Sequence, residues 1–296
     1  MKRIATIGFG EAARAFVAGW RETVDVAVST FDIKIRNEGE AERLRDAANK
    51  LDVACAEDPQ RATAEAACVF SLVTADRAFE AAEETAAFLP EASLFLDCNS
   101  CAPQTKERAS RIVSEAGGQY VDVAIMAPVH PKRHETPLLV SGPHAEAAKN
   151  ALESLGMKPS IAGERIGQAS TIKMLRSIMV KGMEALTAEC ALAARRAGVE
   201  DAVFASLAAS DPRTDWPARV AYNTERMLNH GVRRAAEMEA VVETLDDLGM
   251  PSRMSSACAA WQAELGDLGI EADVDDVHEL LDRILEARFD GLSRSS

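Results

Sequence analysis

Short apolar runs alternate with helical patterns along the first half of the chain. The runs of strand length are 3–7, 25–31, 67–73, 93–97, 120–125 and 138–141. The stretches with apolar residues at helical spacing are 11–21, 76–88 and 103–116. Strands that alternate with helices are typical of a mostly parallel sheet with helices on both faces. The pattern therefore predicts a doubly wound α/β region.

The second half of the chain lacks this alternation, because the strand signal stops at about residue 163. The helical patterns that follow are 165–197, 217–248, 252–265 and 274–290. We therefore expect two domains, a doubly wound sheet over residues 1–163 and an all-helical domain over residues 164–296. The cleft between two such domains is a common place for a small-molecule site.

The charge balance narrows the class of protein. Lys and Arg number 33 against 47 Asp and Glu, so the net charge is −14. Phosphates need a basic surface, so we expect no nucleic-acid partner. No apolar stretch reaches the roughly 20 residues that span a bilayer, and the N-terminus lacks a signal-peptide pattern. We expect a cytoplasmic protein with no membrane partner.

The chain has six cysteines, and its N-terminus lacks a secretory pattern. We therefore expect the cysteines to be reduced thiols. Cys98 and Cys101 form a C-x-x-C pair, but the sequence has no second cysteine pair that would complete a zinc site. We therefore expect no metal.

A glycine pattern, G-x-G-x-x-A, follows the first predicted strand. Its residues are Gly8, Phe9, Gly10, Glu11, Ala12 and Ala13. A strand precedes the pattern and a helix follows it, which is the context that a dinucleotide-binding loop requires. The glycines permit a tight turn and the close approach of a pyrophosphate, and the helix N-terminus offers free N–H groups. The pattern predicts a Rossmann-type cofactor site.

Asp32 stands at the end of the second predicted strand, 24 positions after Gly8. A carboxylate at this place binds the hydroxyl pair of the adenine ribose and repels an additional 2′-phosphate. We therefore expect NAD as the cofactor. Lys34 and Arg36 follow closely and could offset the repulsion, so NADP stays possible.

Two further strand ends carry candidate residues. In a parallel sheet the cofactor lies at the carboxyl ends of the strands. Val73 and Thr74 follow one strand, and Asn99 and Ser100 follow the next. We expect the first three to contact the cofactor, and Ser100, together with Ser177 further along the chain, to orient a substrate.

Lys173 stands out on the first predicted helix of the second half. A dehydrogenase needs a group that moves a proton beside the carbon that exchanges hydride. Lys173, Arg176, Ser177 and Lys181 are spaced to share a helix face or its edge, among many apolar neighbours. Such residues can be a solvated face, but a lysine in so apolar a helix is unusual.

These features together resemble the β-hydroxyacid dehydrogenase family, over essentially the whole chain. The glycine loop matches the start of that family, residues 97–103 match its D-x-S-T-x-x-P segment loosely, and Gly167 with Lys173 matches its G-x-x-x-x-x-K helix. The resemblance implies that Lys173 is the catalytic acid/base. It also favours a homodimer built on the helical halves.

Departures from the family pattern indicate a divergent branch. Residues 122–128 stand where the family has D-A-P-V-S-G-G, and Met126 replaces its serine. The asparagine pair after the lysine becomes Arg176 and Ser177, and the later Lys-Asp pair falls near Ala236 and Glu237. Met126 suits a larger or aromatic substituent in the substrate pocket.

A second group of polar residues could bind the substrate. His230, Arg233, Arg234 and Glu237 follow helical spacing, so that His230, Arg234 and Glu237 lie near one face. Arg176 together with Arg233 or Arg234 could hold a carboxylate by a bidentate pair. The alternative is an exposed, ion-paired helix.

The sequence thus predicts an NAD(P)-dependent oxidoreductase that acts on a hydroxy acid or on the matching carbonyl compound, its small-molecule substrate. The alternatives left open are an imine reductase and a non-catalytic dinucleotide-sensing protein. Loss of carbon dioxide from a β-keto acid product also stays open. The last helical pattern is amphipathic and could pack on its own domain or form a homodimer; its apolar residues are Val274, Val277, Leu281, Ile284 and Leu285.

Overall fold

A computed structural model of the chain describes residues 2–272 and 276–290. Contacts divide the chain into two compact units, one that ends at Lys173 and one that begins at Met174. The strands of the first unit are β1 (Lys2–Ile7), β2 (Val26–Phe31), β3 (Ala54–Cys55), β4 (Cys68–Ser71), β5 (Leu94–Asp97), β6 (Gln119–Ile125), β7 (Pro137–Ser141) and β8 (Lys158–Gly163). Its helices are α1 (Glu11–Thr23), α2 (Glu38–Asn49), α3 (Pro59–Thr63), α4 (Ala78–Ala86), α5 (Pro103–Glu115) and α6 (Ala145–Glu153).

The eight strands form one sheet in the order β3-β2-β1-β4-β5-β6-β7-β8. All neighbouring pairs are parallel except β6 and β7, which are antiparallel. The direction of strand addition reverses between β1 and β4. In such a doubly wound sheet, a crevice for ligands forms at the carboxyl ends of these two strands. The predicted fold class is confirmed.

The sheet core explains why the short apolar runs become strands. Every residue of β4 and of β5 is buried, as expected for strands covered on both faces. From α1, Trp20 packs on the sheet with its ring 5.1 Å from that of Phe70, and both side chains are fully buried. Burial of one such side chain contributes about 2 kcal/mol.

Several elements were absent from the sequence prediction, namely α2, β3, α3, α6 and β8. Their apolar signal is weak: α2 buries only Ala41, Leu44 and Ala48. A cap defines its start instead, since the Asn37 side chain accepts a hydrogen bond from the Gly39 N–H at 3.0 Å. β8 is an edge strand with one buried residue, Pro159.

The second unit is helical. Its helices are α7 (Gln168–Ala197, which begins within the first unit), α8 (Glu200–Ser210), α9 (Trp216–Asp247), α10 (Arg253–Gly266) and α11 (Val277–Leu285), with a π-helical turn at Glu286–Asp290. The backbones of α9 and α10 touch at Gly231, where a Cβ would lie 2.2 Å from the Gln262 carbonyl oxygen. The sequence prediction missed α8. Among the described residues, no helix is long and apolar enough to cross a membrane.

The apolar face of α11 packs within its own unit. Val277, Leu281 and Ile284 are buried in the core of the helical unit, with Leu285 against it. Val274, which the sequence analysis placed in the same stripe, lies outside the described residues. This face is therefore occupied by intramolecular packing and is not an open dimer surface.

Candidate active site

The glycine loop makes the tight turn that its pattern predicts. Gly8 has φ +90°, and its N–H donates to the Phe31 carbonyl oxygen at 2.7 Å. A Cβ at Gly8 would lie 2.5 Å from the Leu72 carbonyl oxygen. Both the backbone conformation and the close approach of the β4 end therefore require glycine.

Gly10 precedes the first turn of α1 and has open space beside it. A Cβ built at Gly10 meets nothing within 4 Å, whereas Ala13, one turn on, is fully buried. The first N–H groups of a helix have no intrahelical partner and bind phosphate well. The loop that includes Phe9, Glu11 and Ala12 thus fits a pyrophosphate cradle.

Asp32 is tied directly to the glycine loop. Its Oδ2 accepts from the Phe9 N–H at 2.8 Å, and its Oδ1 accepts from the Lys34 N–H at 3.0 Å. The two nearby cations have carboxylate partners: Lys34 lies 3.5 Å from Glu40, and Arg36 is bonded to Glu84. The carboxylate therefore lies at the β2 end beside the loop, as a ribose-binding group must.

Asn99 joins the ends of β4 and β5. Its Oδ1 accepts from the Val73 N–H at 2.7 Å, and its Nδ2 donates to Ser71 Oγ at 2.9 Å and to Asp97 Oδ1 at 2.7 Å. The two predicted strand-end segments are thus brought together. Thr74, the next residue after Val73, is exposed.

Lys173 meets Ser100, 73 positions away in sequence. The Lys173 Nζ donates to Ser100 Oγ at 2.5 Å, and the lysine is half-buried. The turn before α7 favours glycine, because Gly167 has φ +88° and a Cβ there would lie 3.1 Å from Pro103 Cβ. The proposed acid/base and the proposed substrate-orienting hydroxyl therefore form one pair within the first unit.

The apolar neighbours of Lys173 differ from the sequence expectation. We expected a lysine embedded among apolar side chains, but several of these side chains are exposed. They are Ile172, Leu175, Met179 and Val180. They form part of an exposed apolar surface of α7, so they do not line a buried lysine pocket.

The residues predicted on the helical unit form ion pairs with protein groups. Lys181 Nζ lies 2.9 Å from Glu237 and donates to Ser177 Oγ at 3.1 Å. Arg233, which is exposed, donates to Glu237 at 2.7 Å. Ser177 and Glu237 are thus brought together through Lys181, which sequence reasoning had not assigned to the site.

Arg234 is buried and bonded to Glu184, which also accepts from Gln262 Nε2 at 3.0 Å. Each of these two arginines thus has a carboxylate partner within the protein, and the expectation that Arg233 or Arg234 holds a substrate carboxylate stays a prediction. Arg176 and His230 are exposed. On β6, Ile125 is followed by Met126, which is half-buried and whose N–H donates to the Pro137 carbonyl oxygen at 2.9 Å.

The sequence analysis missed a cluster of four fully buried polar side chains near the loop after β5 that carries Ser100. It comprises Asp97, Lys106, Tyr120 and Asp122. Asp122 was detectable, because a charged residue inside a buried strand pattern needs a partner. Lys106 had no such signal, since lysines on a helix are usually exposed.

The C-x-x-C thiols are buried and are poor nucleophiles. Burial raises the pKa of Cys98 and of Cys101 to about 12, so both are protonated at neutral pH. The six cysteines, all of them among the described residues, are free thiols.

The strand order, the glycine loop and the acidic residue at the β2 end define a dinucleotide-binding protein of the Rossmann class. Residues 3–163 match the NAD binding domain of 6-phosphogluconate dehydrogenase, and residues 194–265 match a domain of unknown function, DUF1932. The chain belongs to the family defined by this NAD binding domain and is a divergent β-hydroxyacid dehydrogenase family member.

Several solved structures have a similar fold. A conserved hypothetical protein from Sinorhizobium meliloti is 33% identical, with 96% of this chain and 97% of that chain covered and a TM-score of 0.78. The protein MTH1747, described as similar to 3-hydroxyacid dehydrogenases, is 26% identical over 98% and 99% of the chains, with a TM-score of 0.71. 3-Hydroxyisobutyrate dehydrogenase from Mycobacterium tuberculosis shares the fold at 16% identity, with 96% of this chain and 99% of that chain covered and a TM-score of 0.75. The findings support an NAD(P)-dependent oxidoreductase in general terms.

Proposed function

We propose that this protein oxidises a hydroxy acid, or reduces the matching carbonyl compound, with a nicotinamide dinucleotide and with Lys173 as acid/base. The observation that carries the proposal is the 2.5 Å contact of Lys173 Nζ with Ser100 Oγ. This pair belongs to the same unit as the glycine loop. The likeness to MTH1747, which is itself described as similar to 3-hydroxyacid dehydrogenases, supports the reaction class.

Lys173 would hold the proton that the reaction moves. In the oxidation, its neutral amine accepts the substrate hydroxyl proton; in the reduction, its ammonium returns a proton to the carbonyl oxygen. When bound, the nicotinamide accepts or supplies the hydride. Ser100 orients the oxygen by hydrogen bonding to the same group as Lys173.

The cofactor proposed is NAD. The Asp32 carboxylate is held beside the glycine loop by the Phe9 N–H, and a 2′-phosphate there would bring two negative charges together. The paired state of Lys34 and Arg36 supports this choice, because both cations are already engaged with carboxylates.

Three residues are the leading candidates for substrate binding. Met126 would make the binding surface more apolar than a serine does, which suits a larger substituent. Arg176, exposed on α7, is the proposed carboxylate-binding residue, and exposed His230 is a further polar candidate. Ser177, Arg233, Arg234 and Glu237 stay further candidates for substrate binding, although each also bonds to a protein group of the second unit.

The proposal is tested by absorbance at the reduced-nicotinamide band, with NAD and NADP and a panel of hydroxy acids, carbonyl compounds and imines. Turnover of a hydroxy acid or its carbonyl partner supports it. Turnover of imines alone would favour the imine reductase alternative. Tight cofactor binding without any turnover would favour a dinucleotide-sensing protein.

We also propose a homodimer, formed by an apolar stripe on α7. Its exposed residues are Leu175 (39%), Met179 (66%), Met183 (42%) and Leu186 (55%). A row of exposed apolar side chains of this kind marks an interaction surface. Light scattering at micromolar concentration measures the mass, and a monomer would contradict the proposal.

The free thiols favour a reducing compartment, so we expect the cytoplasm.

A further inference from the structure

Lys106 of α5 is a lysine with no exposed surface. Its Nζ donates to the Asp97 carbonyl oxygen at 2.6 Å and to Asp97 Oδ1 at 2.9 Å. It also lies 3.6 Å from Asp122 Oδ1. A buried ammonium is costly to desolvate and is stable only with well-placed partners. Its position between two carboxylates therefore needs a physical explanation.

The Asp97 carboxylate holds the loop that carries Ser100. Asp97 Oδ1 accepts from the Asn99 N–H at 3.0 Å and from Asn99 Nδ2 at 2.7 Å. Its Oδ2 accepts from the Tyr120 hydroxyl at 2.6 Å. Ser100 directly follows Asn99, so the position of its hydroxyl depends on these bonds.

The Asp122 carboxylate holds the first turn of α7. Its Oδ1 accepts from Ser170 Oγ at 2.6 Å, and its Oδ2 accepts from the Ser170 N–H and from Ser141 Oγ, both at 3.0 Å. Lys173 follows Ser170 by three residues, which places the two side chains on neighbouring positions of one helix face. The direction of Lys173 thus depends on Asp122.

The two carboxylates are neighbours in the sheet, because Asp97 and Asp122 are register partners of β5 and β6. Two buried carboxylates side by side repel each other. Although burial alone lowers the pKa of Lys106, the Asp97 and Asp122 carboxylates raise it above its usual value, so the lysine is charged. Its ammonium lies between the two carboxylates and offsets their mutual repulsion.

We propose that Lys106 is a positioning residue: it connects the Ser100 loop, through Asp97, to the Lys173 turn, through Asp122. The contact of Lys173 Nζ with Ser100 Oγ closes this ring of interactions. The inference rests on the proposed role of Lys173. It adds a residue that touches no reacting group and acts by holding the reacting pair in place.

Lys106 and Lys173 also act on a common neighbour. Burial raises the pKa of the Cys98 thiol to about 12, and the positive charges of both lysines oppose that rise. Because two ammonium groups repel each other, removal of one of them favours the charged form of the other lysine. Loss of Lys106 should therefore make the Lys173 amine protonated up to a higher pH.

The test uses the full chain with Lys106→Met and a control on the same helix, Val113→Ala, which also alters a fully buried side chain. Modification of Lys173 by trinitrobenzenesulfonate is followed against pH, with mass spectrometry of the peptide that contains it. We expect Lys106→Met to move the midpoint upward by about half a pH unit or more, and Val113→Ala to leave it unchanged. Where a substrate is in hand, kcat should fall about 10- to 100-fold with little change in NAD affinity.

An unchanged midpoint in folded Lys106→Met, or an equal shift in Val113→Ala, would overturn the proposal. If Lys106→Met does not fold, Lys106→Gln replaces it, because its amide still donates hydrogen bonds but carries no charge; the same shift is expected. The labelling needs no substrate. A shifted midpoint together with a fully active Lys173→Ala variant would therefore refute the proposed function and leave the connection through Lys106 standing.

Discussion

The polar residues that the sequence identified behave differently in the two units. In the first unit, Asp32 and Asn99 lie at strand ends and accept hydrogen bonds from the backbone of neighbouring segments. In the second unit, Arg233 and Arg234 are consecutive on α9 and bind different carboxylates. The carboxyl ends of parallel strands converge whatever their side chains are, whereas the partner of a helical side chain is decided by the next helix. Sequence position therefore predicts which side chains meet more reliably at the edge of a parallel sheet than on the face of a helix.

The largest expected effect tests the chemistry of the first unit. Lys173→Ala should lower kcat by about 10²–10⁴-fold, the usual contribution of a positioned proton-transfer group. NAD affinity should survive, because the glycine loop and Asp32 are untouched. Steady-state kinetics and a cofactor titration measure the two effects separately. A folded variant with the parent kcat would end the proposed mechanism.

The next largest effect is expected in the second unit, where the ion pairs of Arg233 and Arg234 should contribute to the free energy of unfolding. Arg234→Met leaves Glu184 buried without its closest cation, so the free energy of unfolding should fall by about 3 kcal/mol. Arg233→Ala removes an exposed pair and should cost less than about 1 kcal/mol. Urea denaturation compares the two variants. A stable Arg234→Met protein with a raised KM would instead return this arginine to the substrate site.

A smaller effect is expected at the β2 end. Asp32→Asn keeps an acceptor for the Phe9 N–H but removes the charge that opposes a 2′-phosphate. The preference for NAD over NADP in kcat/KM should fall about 10-fold, which corresponds to about 1.4 kcal/mol. If the parent enzyme already prefers NADP, the cofactor assignment is wrong and Lys34 and Arg36 become the residues to examine.

The smallest effect contrasts one histidine from each unit. Burial lowers the pKa of His134, so the unfolded state binds more protons and stability is lost as pH falls below about 6.5. A hydrogen bond to Asp201 raises the pKa of His278, so its contribution is present below about 6.5 and is lost as pH rises through the higher folded value.

Replacing each histidine separately by Gln should therefore change the pH dependence of unfolding in opposite directions. For one proton the slope cannot exceed about 1.4 kcal/mol per pH unit. The His278 effect should be the weaker one, because its side chain is 34% exposed and solvent screens the pair. Equal slopes of the same sign for His134→Gln and His278→Gln would contradict these assignments. Urea unfolding between pH 5 and 8 provides the measurement.

The sequence by itself determined the doubly wound sheet, the cofactor loop and Lys173 as a candidate. These depend on local signals: apolar runs of strand length, glycines where the chain must turn, and the position of Asp32 after a strand. It missed α2 and β8, whose apolar patterns are weak, and it left open whether the apolar face of the last helix packs on its own domain or forms a homodimer. That face packs in the core of the helical unit.

Only the tertiary structure decided which polar groups meet. The contact of Lys173 with Ser100 joins residues 73 positions apart, and Lys106 is buried between Asp97 and Asp122 from two different strands. The same holds for Arg234, whose partner Glu184 lies 50 positions before it. Spacing along one element identifies the residues that can share a face. The partner of a buried charge depends on the packing of other elements, because desolvation must be offset by whichever groups surround it.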